Sequence, residues 1–302
     1  MHSQTGRIVV GYDGSESAGV ALDWAASEAR RLGAPLTVLH VLDHVETTPG
    51  PIAATPWPDL NEEVIGRVAA EGALRARKTA DPVDIASVAE FGQVARTLIE
   101  ASRTADLVVV GTHGHGNLAA TILGSVSVAV SAHALCPVVV VRGDSSLLPG
   151  PHRPVVVGVD KSPGANAALR FAAQRASDTS ARLIVVSGYQ PALLRMWTDI
   201  LSNTIDTQPN PGYVTAARSA AETVVAEAAS TVRTLHPHLE VTERVLQGSA
   251  AAVITATTHQ AGLAVVGCRG RGGFAGLLLG SVSHHLLQTA LCPVAVIREP
   301  IR

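Results

Sequence analysis

Two glycine and serine loops contain the residues best suited to chemistry. After Val110 the chain reads Gly111-x2-Gly114-x9-Gly124-Ser125, and after Val266 it reads Gly267-x2-Gly270-x9-Gly280-Ser281, the same spacing twice. Glycines that follow a strand let the backbone take positive φ and come close to a ligand, because no Cβ intervenes. Ser125 and Ser281 fall where a helix is expected to begin, so their hydroxyls and the unpaired first-turn amides would form an electropositive pocket suited to phosphate. The plainer alternative is that each serine only caps its helix and the glycines only turn the chain. A second copy with equal spacing favours the phosphate cradle.

An aspartate stands just after the first strand of each copy, Asp13 in Val10-Gly11-Tyr12-Asp13-Gly14-Ser15 and Asp160 in Val157-Gly158-Val159-Asp160-Lys161-Ser162. Such a carboxylate can cap the following helix or organise the turn through its own backbone bonds. Beside phosphates it would repel them unless it held a metal or faced a sugar or base, so a nucleoside is the partner it suits. The loops also differ between copies: His113 and His115 in the first become Arg269 and Arg271 in the second. Arginine is always charged and histidine is not, so side chains that reached phosphate would make the first site bind more strongly below about pH 6.5. The alternative is that all four point to solvent from loop tips.

Other phosphate and metal motifs are excluded. Lys78 and Lys161 are the only lysines and no Gly-Lys pair occurs, so this is not a P-loop. The glycines follow a late strand instead of opening the first βα turn, which removes the dinucleotide fingerprint. The twelve histidines form no ligand set, and Cys136, Cys268 and Cys292 lack metal or disulfide spacing. We assign no metal to protein side chains and expect the cysteines to be small buried hydrophobes.

The elements that must position these loops come in two sets. The first-strand segment recurs 147 residues later, and the glycine loop and the Cys136-Pro137-Val138 segment recur 156 residues later. A repeat this long is a domain duplication, and each half is expected to fold alone. We place domains at 1–143 and 154–302, with a linker over 144–153. In the first copy we expect strands at Arg7–Gly11, Leu36–Val41, Val83–Glu90, Leu107–Val110 and Val138–Val141. Helices are expected from the Ala18-Ala21-Leu22-Ala25-Ala26-Ala29-Leu32 stripe ending at Gly33, from about Asn61 to Thr79, at Gln93–Arg103 and at Ser125–Ala134. Pro49 to Pro58 reads as an extended loop, and Leu193–Asn203 could be helical. Strands separated by helices dictate a parallel α/β sheet with right-handed crossovers.

Composition narrows the function. A hydrophobic fraction of 47% supports sizeable cores and rules out disorder. The formal charge of −2 gives no basic footprint for nucleic acid, although the first 150 residues hold 10 basic against 16 acidic residues and the rest 13 against 9. The longest apolar stretches, such as Leu107–Val110, are far short of a membrane span. No apolar signal core precedes the first strand, so a cytoplasmic protein is expected.

These residues carry a family resemblance. Val-Gly-x-Asp-x-Ser after the first strand, the Gly-x2-Gly-x9-Gly-Ser loop and the closing Cys-Pro-Val-x-Val strand resemble the universal stress proteins, in both halves and along nearly their full length. The resemblance implies a tandem-domain member with two open, doubly wound, five-stranded parallel sheets in the order 3-2-1-4-5, of the subgroup whose glycine loop binds ATP. That strand order reverses between strands one and four, where ligands of open sheets sit. By the resemblance, Asp13 and the main chain at Val41 hold the adenosine end, and Gly111, Gly114, Gly124, Ser125 and Val126 surround ribose and phosphates. The second-copy counterparts are Asp160, Gly188, Gly267, Gly270, Gly280, Ser281 and Val282. Mg2+ would accompany the phosphates, and two chains would assemble as a homodimer.

The leading reading is a stress-response regulatory protein that binds ATP, one nucleotide per domain, with its nucleotide state read by a protein partner. No catalytic group is evident, since hydrolysis needs something to orient water and stabilise transferring charge. The rival is a slow ATPase or nucleotidyl-transferring enzyme using Arg269, Arg271, His113 and His115. A flavin carrier is a third class, disfavoured by only nine aromatic residues. Val138–Val141 and Val294–Ile297 are apolar edge-strand candidates through which the halves are expected to associate.

Overall fold

Short runs of Val, Ile and Leu that end in glycine become buried strands, because side chains on both faces must be covered in a parallel sheet. The computed structural model describes residues 6–43, 62–114, 123–144, 146–190, 211–272 and 278–299. In the first half, strands β1 (Ile8–Gly11), β2 (Leu36–Leu42), β3 (Ile85–Phe91), β4 (Leu107–Gly111) and β5 (Val138–Val141) alternate with helices α1 (Glu16–Leu32), α2 (Glu62–Ala80), α3 (Val94–Ala101) and α4 (Ser125–His133). The strands pair in parallel in the order β3-β2-β1-β4-β5.

The second half repeats the plan with β6 (Val155–Gly158), β7 (Leu183–Tyr189), β8 (Val241–Gln247), β9 (Leu263–Gly267) and β10 (Val294–Ile297). Its helices are α5 (Pro163–Asp178), α6 (Pro211–Leu235), α7 (Ala250–Thr257) and α8 (Ser281–Thr289). The order is β8-β7-β6-β9-β10, again parallel. The expected open α/β architecture with strand order 3-2-1-4-5 is therefore present in each half. The chain divides into two compact units between Leu148 and Pro149.

Alanine sets the distance between helix and sheet. Ala18, Ala21, Ala25, Ala26 and Ala29 of α1 are buried against β1 and β4, with Leu22 fully buried among them. Gly33 ends the helix in the left-handed conformation, φ 62°, and its N–H reaches the carbonyls of Ala29 and Arg30. Trp24 projects from the same helix and donates Nε1–H to the carbonyl of Leu147, fastening the segment after β5. Glu28 is also buried, and Arg31 donates to both its carboxylate oxygens, at 2.9 and 2.7 Å.

Boundaries shift by a few residues from those expected. β1 starts at Ile8 because the Arg7 amide is taken by Asp106 Oδ2 at 3.0 Å. β3 starts at Ile85 because Val83 closes a turn onto the Ala80 carbonyl. Gln93 is the N-cap of α3, and after Ala101 the four-residue bonds of Ser102 onto Leu98 and Ala105 onto Ala101 are interrupted by three-residue bonds of Arg103 onto Glu100 and Thr104 onto Ala101. The Pro49–Pro58 loop, Asn61 and the Leu193–Asn203 segment lie outside the described residues.

Candidate functional site

Both aspartates are fixed by the strand ends that carry them. In the first half Asp13 Oδ1 accepts the Ser15 N–H at 2.9 Å, and in the second half Asp160 Oδ1 accepts the Ser162 N–H at 2.9 Å. The serines, and not the aspartates, cap the helices: Ser15 Oγ accepts from Ala18 and Ser162 Oγ from Ala165. Between them Gly14 takes φ 86° and Lys161 φ 66°, so the turn demands a left-handed residue and only the first copy supplies glycine. Asp160 Oδ2 reaches further and accepts the backbone N–H of Arg271 at 3.0 Å, joining the end of β6 to the glycine loop after β9.

The glycines are needed for reasons other than positive φ. None of Gly111, Gly114, Gly124, Gly267, Gly270 or Gly280 has a left-handed φ, which corrects the expectation that they turn the chain that way. Close approach is what excludes a side chain. A Cβ on Gly114 would lie 2.7 Å from Asp13 Oδ2, and one on Gly270 would lie 2.5 Å from Asp160 Oδ2. A Cβ on Gly111 would meet the Ser17 carbonyl oxygen at 2.7 Å, and one on Gly267 the Gly164 carbonyl carbon at 2.6 Å. The first glycine of each loop therefore serves helix packing, while the second faces the aspartate.

Ser125 and Ser281 are the first helical residues and not caps. The N-caps are Gly124 and Gly280, extended at φ −67° and −70°, and no side chain makes a cap bond there. Ser15, Ser162 and Ser249 do cap α1, α5 and α7. The alternative in which Ser125 merely caps its helix is thus overturned, and the first-turn amides of α4 and α8 present positive dipole without a side-chain acceptor. Sequence reading missed the residues that hold this geometry. Ser127 Oγ donates to the Gly111 carbonyl at 2.7 Å and Ser283 Oγ to the Cys268 carbonyl at 3.0 Å. Ser17 Oγ accepts the Thr112 N–H at 2.9 Å and the His113 N–H at 3.3 Å, a role no motif signalled.

In the second half these parts enclose a cavity of about 700 Å³. Asp160, Gly267, Gly270, Gly280, Ser281 and Val282 line it, with Arg269 and Arg271 at its rim. Gly188 does not line it; it packs against Gly248 and Ala250 at the start of α7. In the first half Ser125 and Val126 line a cavity of about 800 Å³ with Asp43, Glu90 and the start of α3, while Val41 is buried in β2 next to Glu90 of β3. Asp13 and Gly114 face each other at the end of β1 and β4, the point where the strand order reverses.

His113 does not point outward. Its Nδ1 lies 2.8 Å from Thr112 Oγ1, and its buried Nε2 has no partner among the described residues. Arg269 and Arg271 are exposed, and His115 lies outside the described residues. The three cysteines are buried thiols as expected, and burial pushes Cys136 and Cys292 up to about 12. No group of three or more metal-ligating side chains occurs among the described residues, and no described helix is long and apolar enough to cross a membrane.

Comparison with known proteins follows the same two halves. A profile of the universal stress protein family matches residues 5–142 and 151–298. A universal stress protein of Mycobacterium tuberculosis is 34% identical over 301 residues, covering 97% of each chain. One from Mycolicibacterium smegmatis is 34% identical and covers 96% of each. Among solved structures, a universal stress protein of Archaeoglobus fulgidus aligns with 98% of this chain and 100% of its own, at 19% identity and a TM-score of 0.67, a likeness of fold.

Proposed function

Because the chain belongs to the universal stress protein family, we propose that it is an ATP-binding, stress-response regulatory protein with one nucleotide site in each half, binding ATP and not rapidly hydrolysing it. The domains would be 1–143 and 154–302, joined by a linker over 144–153. One observation carries the reading: in both halves a side-chain-free residue is pressed against the first-strand aspartate beside a helix start that no side chain caps. Backbone amides aimed at an open cavity at the switch point of a parallel sheet suit an anion attached to a nucleoside.

ATP fits these residues. Gly114, Gly124, Ser125 and Val126, with Gly270, Gly280, Ser281 and Val282, would take the phosphates through main-chain N–H groups. Asp13, Asp160 and the main chain at Val41 would serve the adenosine end, and Gly188 would act from outside the second cavity, by its packing against Gly248 and the start of α7. Gly111 and Gly267 would act by packing, which lets the loop lie close to the helix. Each aspartate already accepts a backbone N–H within its own turn, so Mg2+ would be held through the phosphates and not by a protein ligand set. The reading includes a homodimer, a cytoplasmic location and a protein partner that senses the nucleotide. The test is to extract nucleotide from freshly purified protein and identify it by mass. ATP in the native chain, and its loss on Asp13→Ala with Asp160→Ala, is expected; absence of any adenine nucleotide, with no calorimetric heat on adding ATP, overturns the reading.

The rival reading, a slow ATPase, draws on Arg269 and Arg271 at the rim of the second cavity. Multiple turnovers to ADP or AMP with Mg2+, abolished by Gly114→Ala with Gly270→Ala, would establish it.

A further inference from the structure

We propose that the two sites divide adenine nucleotides by charge: the second-half site takes the triphosphate, and the first-half site takes a nucleoside carrying a single phosphate. This rests on the nucleotide-binding reading above and assigns each site its ligand class.

The inference comes from side chains at equivalent positions around two equivalent backbones. The second cavity carries Arg269 and Arg271 beside its glycine loop, and the Arg271 amide is already fixed on Asp160. At the position of Arg269 the first half has His113, whose ring folds back onto Thr112 and presents no extended guanidinium. The first cavity, which the start of α4 lines, also receives Asp43, Glu90, Arg96 and Glu100. Their counterparts in the second half are Gln190, Leu246, Ala252 and Ala256, none of them charged. Glu100 is held by Arg103 at 2.8 Å and Arg96 offsets one of the other two acids, so the side chains lining the first cavity keep a net charge of about −1, with Asp13 outside that lining.

The described side chains lining the two cavities therefore carry opposite net charge, Arg269 and Arg271 against Asp160 in the second and Asp43 and Glu90 against Arg96 in the first, where Glu100 is paired. Through a water-like dielectric, a unit charge about 6 Å away changes affinity roughly threefold for each charge on the ligand. A triphosphate tail carries more negative charge than a single phosphate, so it gains more from Arg269 and Arg271 and loses more to Asp43 and Glu90. The shared backbone cradle accepts the first phosphate in both halves, and the flanking side chains decide whether further phosphates follow. Because these groups are exposed, the discrimination weakens as salt screens them.

Calorimetry on the full chain without divalent cation tests this with two single-site variants. Gly114→Val drives a side chain into Asp13 and closes the first site; Gly270→Val does the same to Asp160 in the second. With only the second site open, ATP is expected to bind at least about tenfold more tightly than AMP or cyclic AMP, and with only the first open the single-phosphate ligands to bind at least as tightly as ATP. A second pair, Arg269→Gln with Arg271→Gln on the exposed loop, should remove most of the ATP preference and leave single-phosphate binding at the first site unchanged. Raising NaCl from 50 to 500 mM should narrow both ratios. The same ATP-to-AMP ratio at the two sites, or an ATP preference indifferent to the arginine changes, overturns the division while leaving nucleotide binding intact. If the native chain binds neither ATP nor AMP nor cyclic AMP, both this proposal and the nucleotide reading fall.

Discussion

Asp160 and Arg271 meet through the main chain: the carboxylate Oδ2 accepts the Arg271 N–H at 3.0 Å while Oδ1 holds the Ser162 N–H at 2.9 Å. One side chain thereby ties the first strand of the second half to its glycine loop, and Gly270 has to be side-chain-free for the carboxylate to lie there.

Gly270 and Gly267 should respond differently to the same methyl group. Gly270→Ala pushes on a carboxylate at an exposed rim, so it is expected to weaken ATP binding about tenfold or more, measured by calorimetry, with little change in melting temperature. Gly267→Ala collides with the backbone of α5 at Gly164 and is expected to cost about 2 kcal/mol in urea denaturation. Equal loss of stability in both would contradict the separation.

Lys161 occupies a left-handed position, φ 66°, where the first copy has Gly14. Lys161→Gly relieves a conformational cost of about 1–2 kcal/mol while giving back part of it as unfolded-chain entropy and as the exposed ion pair to Glu227. A net gain of about 0.5 kcal/mol is expected from the shift in denaturation midpoint.

Arg31→Ala should destabilise the first half by about 3 kcal/mol, because it strips two donors from the buried Glu28 carboxylate. Glu28→Leu combined with Arg31→Ala should recover most of that loss, since no buried charge then remains. Failure of the double change to recover would point to lost packing of the arginine stem.

The buried thiols give a pH dependence with a definite sign. Burial raises Cys136 and Cys292 to about 12 from an ordinary value of 9.0, so the folded chain keeps protons that the unfolded chain gives up. Their contribution is complete below about pH 9 and is lost as pH rises toward 12, at about 1.4 kcal/mol per thiol per pH unit. Cys136→Ala with Cys292→Ala should flatten that limb of the stability curve.

The architecture was legible because its signals were local and doubled. The alanine stripe from Ala18 to Ala29, the Val-rich strands and the offsets of 147 and 156 each point to one parallel unit repeated. The grouping of Asp13 with Gly114 was legible through the family resemblance, since 101 residues separate them in the sequence. The reasons for the glycines were not, because a sequence cannot say whether a glycine serves φ or close approach. Nor could it show that Ser125 starts the helix without capping it, that Ser17 grips the loop, or that Glu28 turns inward. Each of these depends on which face of an element meets a neighbour distant along the chain.

Ser17 has a glycine, Gly164, as its counterpart, and the two halves secure the end of the fourth strand differently in consequence. In one copy the amide of Thr112 is gripped by a hydroxyl on α1, whereas in the other the amide of Cys268 goes to the Ile297 carbonyl of β10 at 2.7 Å. Whatever displaces the loop must therefore drag on a helix in the first copy and on an outermost strand of its own unit in the second, so a duplicated fold has acquired two unlike linkages where one copy lacks a single hydroxymethyl group.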